Sequence, residues 1–339
     1  MLAVNTGSDS ISVMEFTVAG LLKPVDGSPF WSGGHNPVSL AVIPGHVVVA
    51  NKACDGSTQP NYALLSLGAD GRLAVFSTKQ QRLPMGASPS IAYVTPGGHQ
   101  LFGTEFLDQS RQDLARRWQI DAYAIDSQGS MTHAPNAPFA VPQVKLSPLL
   151  GQPPSLALNL VAHPFQNLIY AGLVSQNRLG VFSYDDLGAL TPVAHTEASA
   201  GQWPAFFRVD QNGRYLYSSN MLSGSVSTWD LSNPRAPVEK SVLALLGSRS
   251  GTPFIDSDGT ERTFSSEPYQ LSLDESGQHL YVLSQRVTTN TGDRNGNMLH
   301  VLDVGVAGLL DERLPPIELS TLGLDPYARP QGVLVVPMK

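Results

Sequence analysis

Along this chain apolar and polar residues alternate with a period of two, and no stretch sustains the 3.6-residue period of a helix. The alternation comes as pairs of short runs split by a tight turn, and each pair opens on a proline. The copies are PVSLAVIPGHVVVAN from Pro37, PSIAYVTPGGHQLFGTE from Pro89, PSLALNLVAHPFQNLIYAG from Pro154, PAFFRVDQNGRYLYSSN from Pro204, PYQLSLDESGQHLYVLSQ from Pro268 and PQGVLVVPMK from Pro330. β-Branched and aromatic residues flank turns such as Asn212-Gly213 and Ser276-Gly277, which predicts a β-hairpin in each copy. A third run of the same period follows at 10–18, 62–67, 120–125, 178–184, 225–231 and 298–304. Five of these six runs are closed by Gly-x-Leu/Met, at Gly20, Gly71, Gly129, Gly188 and Gly308. A glycine there suits a φ > 0 turn into a fourth strand; the remaining copy turns at Asn233-Pro234.

Four antiparallel strands per copy, repeated every roughly 50 to 65 residues, predict an all-β fold of the β-propeller class, with six four-stranded blades in a single domain over residues 1–339. The chain opens on a second and third strand and ends on a first strand. Pairing 332–336 with 2–5 would complete that blade and remove exposed strand edges. Strand alternation predicts that Leu40, Val48, Ile91, Leu216, Leu271 and Tyr281 are buried between blades. The surplus length sits in insertions at 107–118, 248–267 and 287–297, and such loops on a rigid scaffold are places where function can sit.

Composition narrows the chemistry. A net charge of −7, from 21 Lys+Arg against 28 Asp+Glu, with basic residues scattered singly, argues against nucleic acid or an acidic membrane surface as a partner. No apolar run approaches the roughly 18 to 20 residues of a membrane helix. The one cysteine, Cys54, can form no internal disulfide, and it reads as a spectator thiol beside Lys52. Asp/Asn/Gly clusters at 293–297 and 256–261 lack the full spacing of a calcium loop, so no metal is expected, and no cofactor motif is present. His163, in a hairpin turn ahead of Pro164, reads as a solvated turn residue. The absence of a leader-like segment reads as cytoplasmic, or as secreted or periplasmic if further sequence precedes Met1.

The proline-initiated first strand, LAVN, VVAN or YSSN ending the second, Ser-x-Ser-Val in the third and Gly-x-Leu before the fourth resemble the lactonase-type β-propellers, which include 6-phosphogluconolactonases and carboxymuconate cyclases. The best matches are MLAVNTGSDSISVMEFTVAGLLKPV, NLIYAGLVSQNRLGVFSYDDLGALTPV and GRYLYSSNMLSGSVSTWDL. The resemblance implies seven blades, against six read here. It also implies, in members with hydrolase or cyclase chemistry, a histidine directly after a strand-opening proline, with arginine and glutamate nearby. Here those positions hold Val38, Ser90, Ser155, Ala205, Tyr269 and Gln331. No catalytic residue transfers by motif.

Topology still restricts the search, because the start of each first strand and the end of each second strand share one face of a propeller. That face is expected to carry His35, Glu105 and Glu267 as proton-transfer groups. Lys52, Asn51, Trp203, Asn220, Gln285, Arg286, Arg329 and Gln331 are the expected substrate-binding set. Cations that hold carboxylate or phosphate, beside groups able to move a proton, suit a small anionic lactone or acid. Two functions follow: a lactonase or cycloisomerase without a cofactor, or a non-catalytic propeller that binds a small ligand or a protein through the same face.

Overall fold

The computed structural model describes residues 1–17, 21–53, 57–105, 119–142, 157–248, 254–255, 261–262, 266–287, 296–325 and 328–335. Cys54, most of both Asp/Asn/Gly clusters and most of the three insertions lie outside them. The chain is all-β, and its described residues build six sheets of the four-stranded blade type, plus a short hairpin, Phe254–Ile255 with Glu261–Arg262. The only helices among them are single 3-10 turns, such as Thr6–Ser8 and Val174–Gln176.

Blade 1 comprises Leu2–Asn5, Ser10–Phe16 and an outer strand in two pieces, Leu22–Pro24 and Phe30–Trp31. Blade 2 runs in order through Pro37–Ile43, His46–Asn51, Asn61–Leu67 and Leu73–Arg82. Blade 3 holds Tyr93–Val94, Gln100–Thr104 and Gln119–Ile125, with Met131–His133 and Phe139–Ala140 sharing its outer edge. Blade 4 is Ala157–Ala162, Leu168–Leu173, Arg178–Tyr184 and Leu190–His195. Blade 5 is Pro204–Val209, Tyr215–Asn220, Ser225–Asp230 and Val238–Ala244. Blade 6 holds Ser266–Leu273, His279–Arg286 and Met298–Val304, with Leu310–Asp311 and Ile317–Glu318 on its outer edge.

The chain divides into two compact units: residues 1–159 with 183–191, and residues 160–182 with 192–339. In the first, Val48, Tyr62, Leu64, Leu101 and Tyr123 form one core cluster, and Ile11, Val13, Val47, Val49 and Leu65 form another. In the second, Tyr217, Val226, Leu271, Leu280, Val282 and Leu302 pack together. Opposite faces of one strand therefore feed different cores, as period-two alternation requires. Val48, Leu216 and Leu271 are buried as expected. Leu40, Ile91 and Tyr281 are only half-buried, and next to the latter two in the chain Ala92 and Val282 are buried instead. In blades 2 and 5 the first strand is an edge strand, and its sides are partly open.

Two further expectations are corrected. Residues 331–335 form no strand, and the Val335 N–H is directed to the Ser272 Oγ at 3.4 Å. His163 is buried, not solvated: its Nδ1 accepts from the Phe165 N–H at 3.1 Å, and its Nε2–H donates to the Gly213 carbonyl at 3.1 Å. The turn it occupies packs against the next blade's turn, where a Cβ on Gly213 would lie 2.7 Å from the imidazole.

Candidate functional site

The scaffold explains several of the polar residues at the strand ends. In blade 1 the Asn5 amide donates across the hairpin to Ser10 Oγ and Ser12 Oγ at 3.1 and 2.9 Å. In blade 5 Asn220 repeats this with Ser225 and Ser227 at 3.0 and 2.8 Å. Asn51 is fully buried and donates to Asn61 Oδ1 at 2.8 Å. An asparagine that ends a second strand thus ties it to the third, which gives the recurring Asn and Ser-x-Ser a structural reason. The segments that lead into blades 2 and 5 also match. Asn36 and Trp203, each directly before the proline, adopt φ of 51° and 61°. Their carbonyls accept from Lys52 N and Met221 N, both at 3.0 Å, and their own N–H groups are held by Asp9 Oδ1 at 2.7 Å and Asn177 Oδ1 at 3.0 Å.

In the first unit, His35 is exposed on the lead-in to blade 2, with its Nδ1 2.8 Å from Asp9 Oδ2. A carboxylate on one ring nitrogen fixes the tautomer and leaves the other nitrogen to exchange a proton. Lys52 is half-buried, and its backbone is tied to Asn36. Glu105 is buried, and its carboxylate accepts the Ser88 N–H, which anchors the loop ahead of Pro89.

The second unit gathers the larger set on blade 6. Its first strand begins two residues before Pro268, so Glu267 lies in the ladder opposite Gln285, and Ser266 opposite Arg286. Gln285 donates to the Pro330 carbonyl at 3.4 Å. Asn297 accepts from the Arg286 N–H at 2.9 Å and donates to the Ala328 carbonyl at 2.8 Å. These bonds lay the 328–332 segment along the strand, where a Cβ on Gly332 would sit 3.3 Å from Gln270 Oε1. Arg329 and Gln331 are exposed, and Arg329 forms no hydrogen bond or ion pair with the other described residues. Trp203 is half-buried at the lead-in to blade 5, and Asn220 is fully buried.

Tyr269 is the residue the sequence reading passed over. It is half-buried, and its ring packs on Phe206 of blade 5 with centroids 5.1 Å apart. Burial holds its hydroxyl above the usual tyrosine range and Glu267 adds to this, while Arg329 pulls the other way. In sequence it stands out as the only ionisable residue among the six that follow a strand-opening proline, in the place where the resemblance implies a histidine.

A buried chain of hydrogen bonds braces the same blade. Ser284 Oγ meets His300 Nε2 at 2.9 Å, His300 Nδ1 meets Glu312 Oε1 at 2.7 Å, and Glu312 Oε2 accepts the Leu246 N–H at 2.6 Å. The order resembles a nucleophile relay, yet Ser284 and His300 are fully buried, so the chain ties blade 6 to the end of blade 5. Among the described residues no three His, Cys, Asp or Glu side chains gather as a metal site. No helix among them is long and apolar enough to cross a membrane.

Residues 152–284 match the family described as lactonase, 7-bladed beta-propeller. Over that stretch the chain is similar to the lactonase propellers. The matched stretch includes blade 5 and the first strand of blade 6, with Glu267 and Tyr269. The 6-phosphogluconolactonase of Erwinia tasmaniensis is 26% identical over 162 residues, 38% of this chain and 49% of that protein. The match thus spans about half the length of that relative. The solved structure of a Lactobacillus plantarum protein superposes with a TM-score of 0.66 at 16% identity, covering 91% of this chain and 78% of that one. The periplasmic gluconolactonase of Pseudomonas aeruginosa gives 0.64 at 18% identity, covering 91% and 79%. At these identities the structural likeness speaks for the fold.

Proposed function

We propose that this lactonase relative is a hydrolase that opens a small anionic lactone, with its reacting groups at the start of blade 6. The observation that carries the reading is that Glu267 lies in the ladder opposite Gln285, whose amide holds the Pro330 carbonyl and so brings the segment bearing the exposed Arg329 alongside that strand start. Arg329 holds the substrate's carboxylate or phosphate. Glu267 takes a proton from water as the water attacks the lactone carbonyl. The Erwinia relative's name points to a phosphorylated sugar lactone as the first substrate to try.

Purified protein is offered glucono-δ-lactone, its 6-phosphate and muconate-derived lactones, and ring opening is followed by acid release. The reading expects turnover of at least one sugar lactone. It also expects Arg329→Gln to raise KM more than it lowers kcat, because a cation on a remote anionic group grips ground and transition states alike. A second reading, a blade that binds such a ligand without turning it over, is favoured by one observation: no strand-opening proline is followed by histidine. Binding of gluconate or 6-phosphogluconate with no turnover of any lactone would select it.

A further inference from the structure

The first strands of blades 2, 5 and 6 share an irregularity just after their prolines. The ladder gains one residue between Pro37 and Ser39, between Pro204 and Phe206, and between Pro268 and Leu271. A bulge of this kind re-aims the side chain it carries, and bulges recur beside active sites. In blades 2 and 5 the extra residue is Val38 or Ala205, neither of which has side-chain chemistry. In blade 6 the bulge carries Tyr269 and Gln270.

Three observations give Tyr269 a task. Its ring is held against Phe206, so the direction of the hydroxyl is set by packing. The hydroxyl makes no hydrogen bond to any other described residue, and it is absent from the polar atoms sealed away from solvent. The hydroxyl therefore reaches solvent, where a ligand can meet it. The residue is two positions from Glu267 on the same strand, beside the 328–332 segment that Gln285 and Asn297 hold in place. It is pre-positioned and unspent.

We propose that the Tyr269 hydroxyl is the hydrogen-bond donor to the lactone carbonyl oxygen, a role that rests on the hydrolase reading above. Water attacks the carbonyl carbon and gives up a proton to Glu267. The new C–O bond forms, and the carbonyl π pair moves onto the oxygen facing Tyr269, whose O–H stabilises the charge without being transferred. Collapse restores the carbonyl and breaks the ring C–O bond, and the departing alkoxide takes the proton from Glu267. One lactone and one water give one hydroxy acid.

The test is Tyr269→Phe, which keeps the ring on Phe206 and removes one oxygen. Lactone turnover, the gluconate dissociation constant and the melting temperature are measured in parallel. Loss of one oxyanion donor costs about 10²- to 10³-fold in kcat. The expected result is a kcat loss of that size, with KM and the gluconate dissociation constant within about threefold of wild type and melting unchanged. A kcat within about threefold of wild type overturns the role of Tyr269 and leaves the hydrolase reading standing. A parallel loss of gluconate binding or of melting temperature also overturns it, since the residue would then be holding the site together. A wild-type protein inert towards every lactone overturns the hydrolase reading and this role with it.

Discussion

A single buried imidazole shows how much a local pattern can hide. His163 precedes a proline in a hairpin turn, which in sequence reads as solvent-exposed, yet both its ring nitrogens are committed to backbone groups, one of them on the adjacent blade's turn. Burial pushes its pKa below the usual histidine value, against the opposing pull of the Gly213 carbonyl and Asp210. A neutral form favoured by the fold means that the unfolded chain binds more protons below about pH 6.5, so stability falls as pH is lowered through that value. His163→Gln should flatten the stability curve between about pH 7 and 5, measured by denaturant midpoints; equal slopes in the two proteins would contradict this. Leu216 makes the simpler case. It is fully buried opposite Val209 and Trp229 in the ladder, and Leu216→Ala should cost about 2 to 5 kcal/mol. A loss below about 0.5 kcal/mol, an ordinary surface effect, would place it outside the core.

At the scale of the element, the glycines that punctuate the sequence are half of a motif. Gly129, Gly188, Gly213 and Gly277 all have φ between 66° and 81°, and each donates its N–H to the carbonyl of an aspartate three residues earlier. The aspartate side chain then accepts two more N–H groups from the turn or the start of the returning strand. Asp185 takes those of Leu187 and Ala189 at 3.0 and 2.8 Å, and Asp210 those of Arg214 and Tyr215 at 2.6 and 3.0 Å. Asp185→Ala should therefore destabilise by about 0.5 to 2 kcal/mol, the range for losing a comparable side-chain cap. Asp185→Asn, which keeps one acceptor oxygen, should lose less; equal losses in thermal melts would show that the charge matters rather than the bonds. The turns were legible because glycine is tied to φ > 0. The aspartates were overlooked because their function lies in side-chain bonds that alternation does not report. The same limit applies to Asn5, Asn51 and Asn220, whose type was noticed and whose cross-strand partners were not.

For the whole molecule, the repeat alone was enough to read six blades and their strand order, because period two, turn glycines and opening prolines all report backbone geometry. The functional groups were harder, since a propeller repeats its scaffold residues in every blade and its chemistry in one. Glu267, Gln285 and Arg329 were singled out by topology; in the second unit Glu267 lies opposite Gln285, whose amide donates to the Pro330 carbonyl next to Arg329. Tyr269 was missed because its significance depends on a bulge, and a one-residue register shift leaves no mark in an alternating pattern. The central claim is that this strand start carries the hydrolytic chemistry, and its most direct test is the turnover number of Glu267→Gln on whichever sugar lactone the wild type opens. An isosteric amide cannot take the proton from water, so kcat should fall about 10²- to 10⁴-fold with the melting temperature unchanged. Wild-type turnover in Glu267→Gln would contradict the account and move the chemistry away from blade 6.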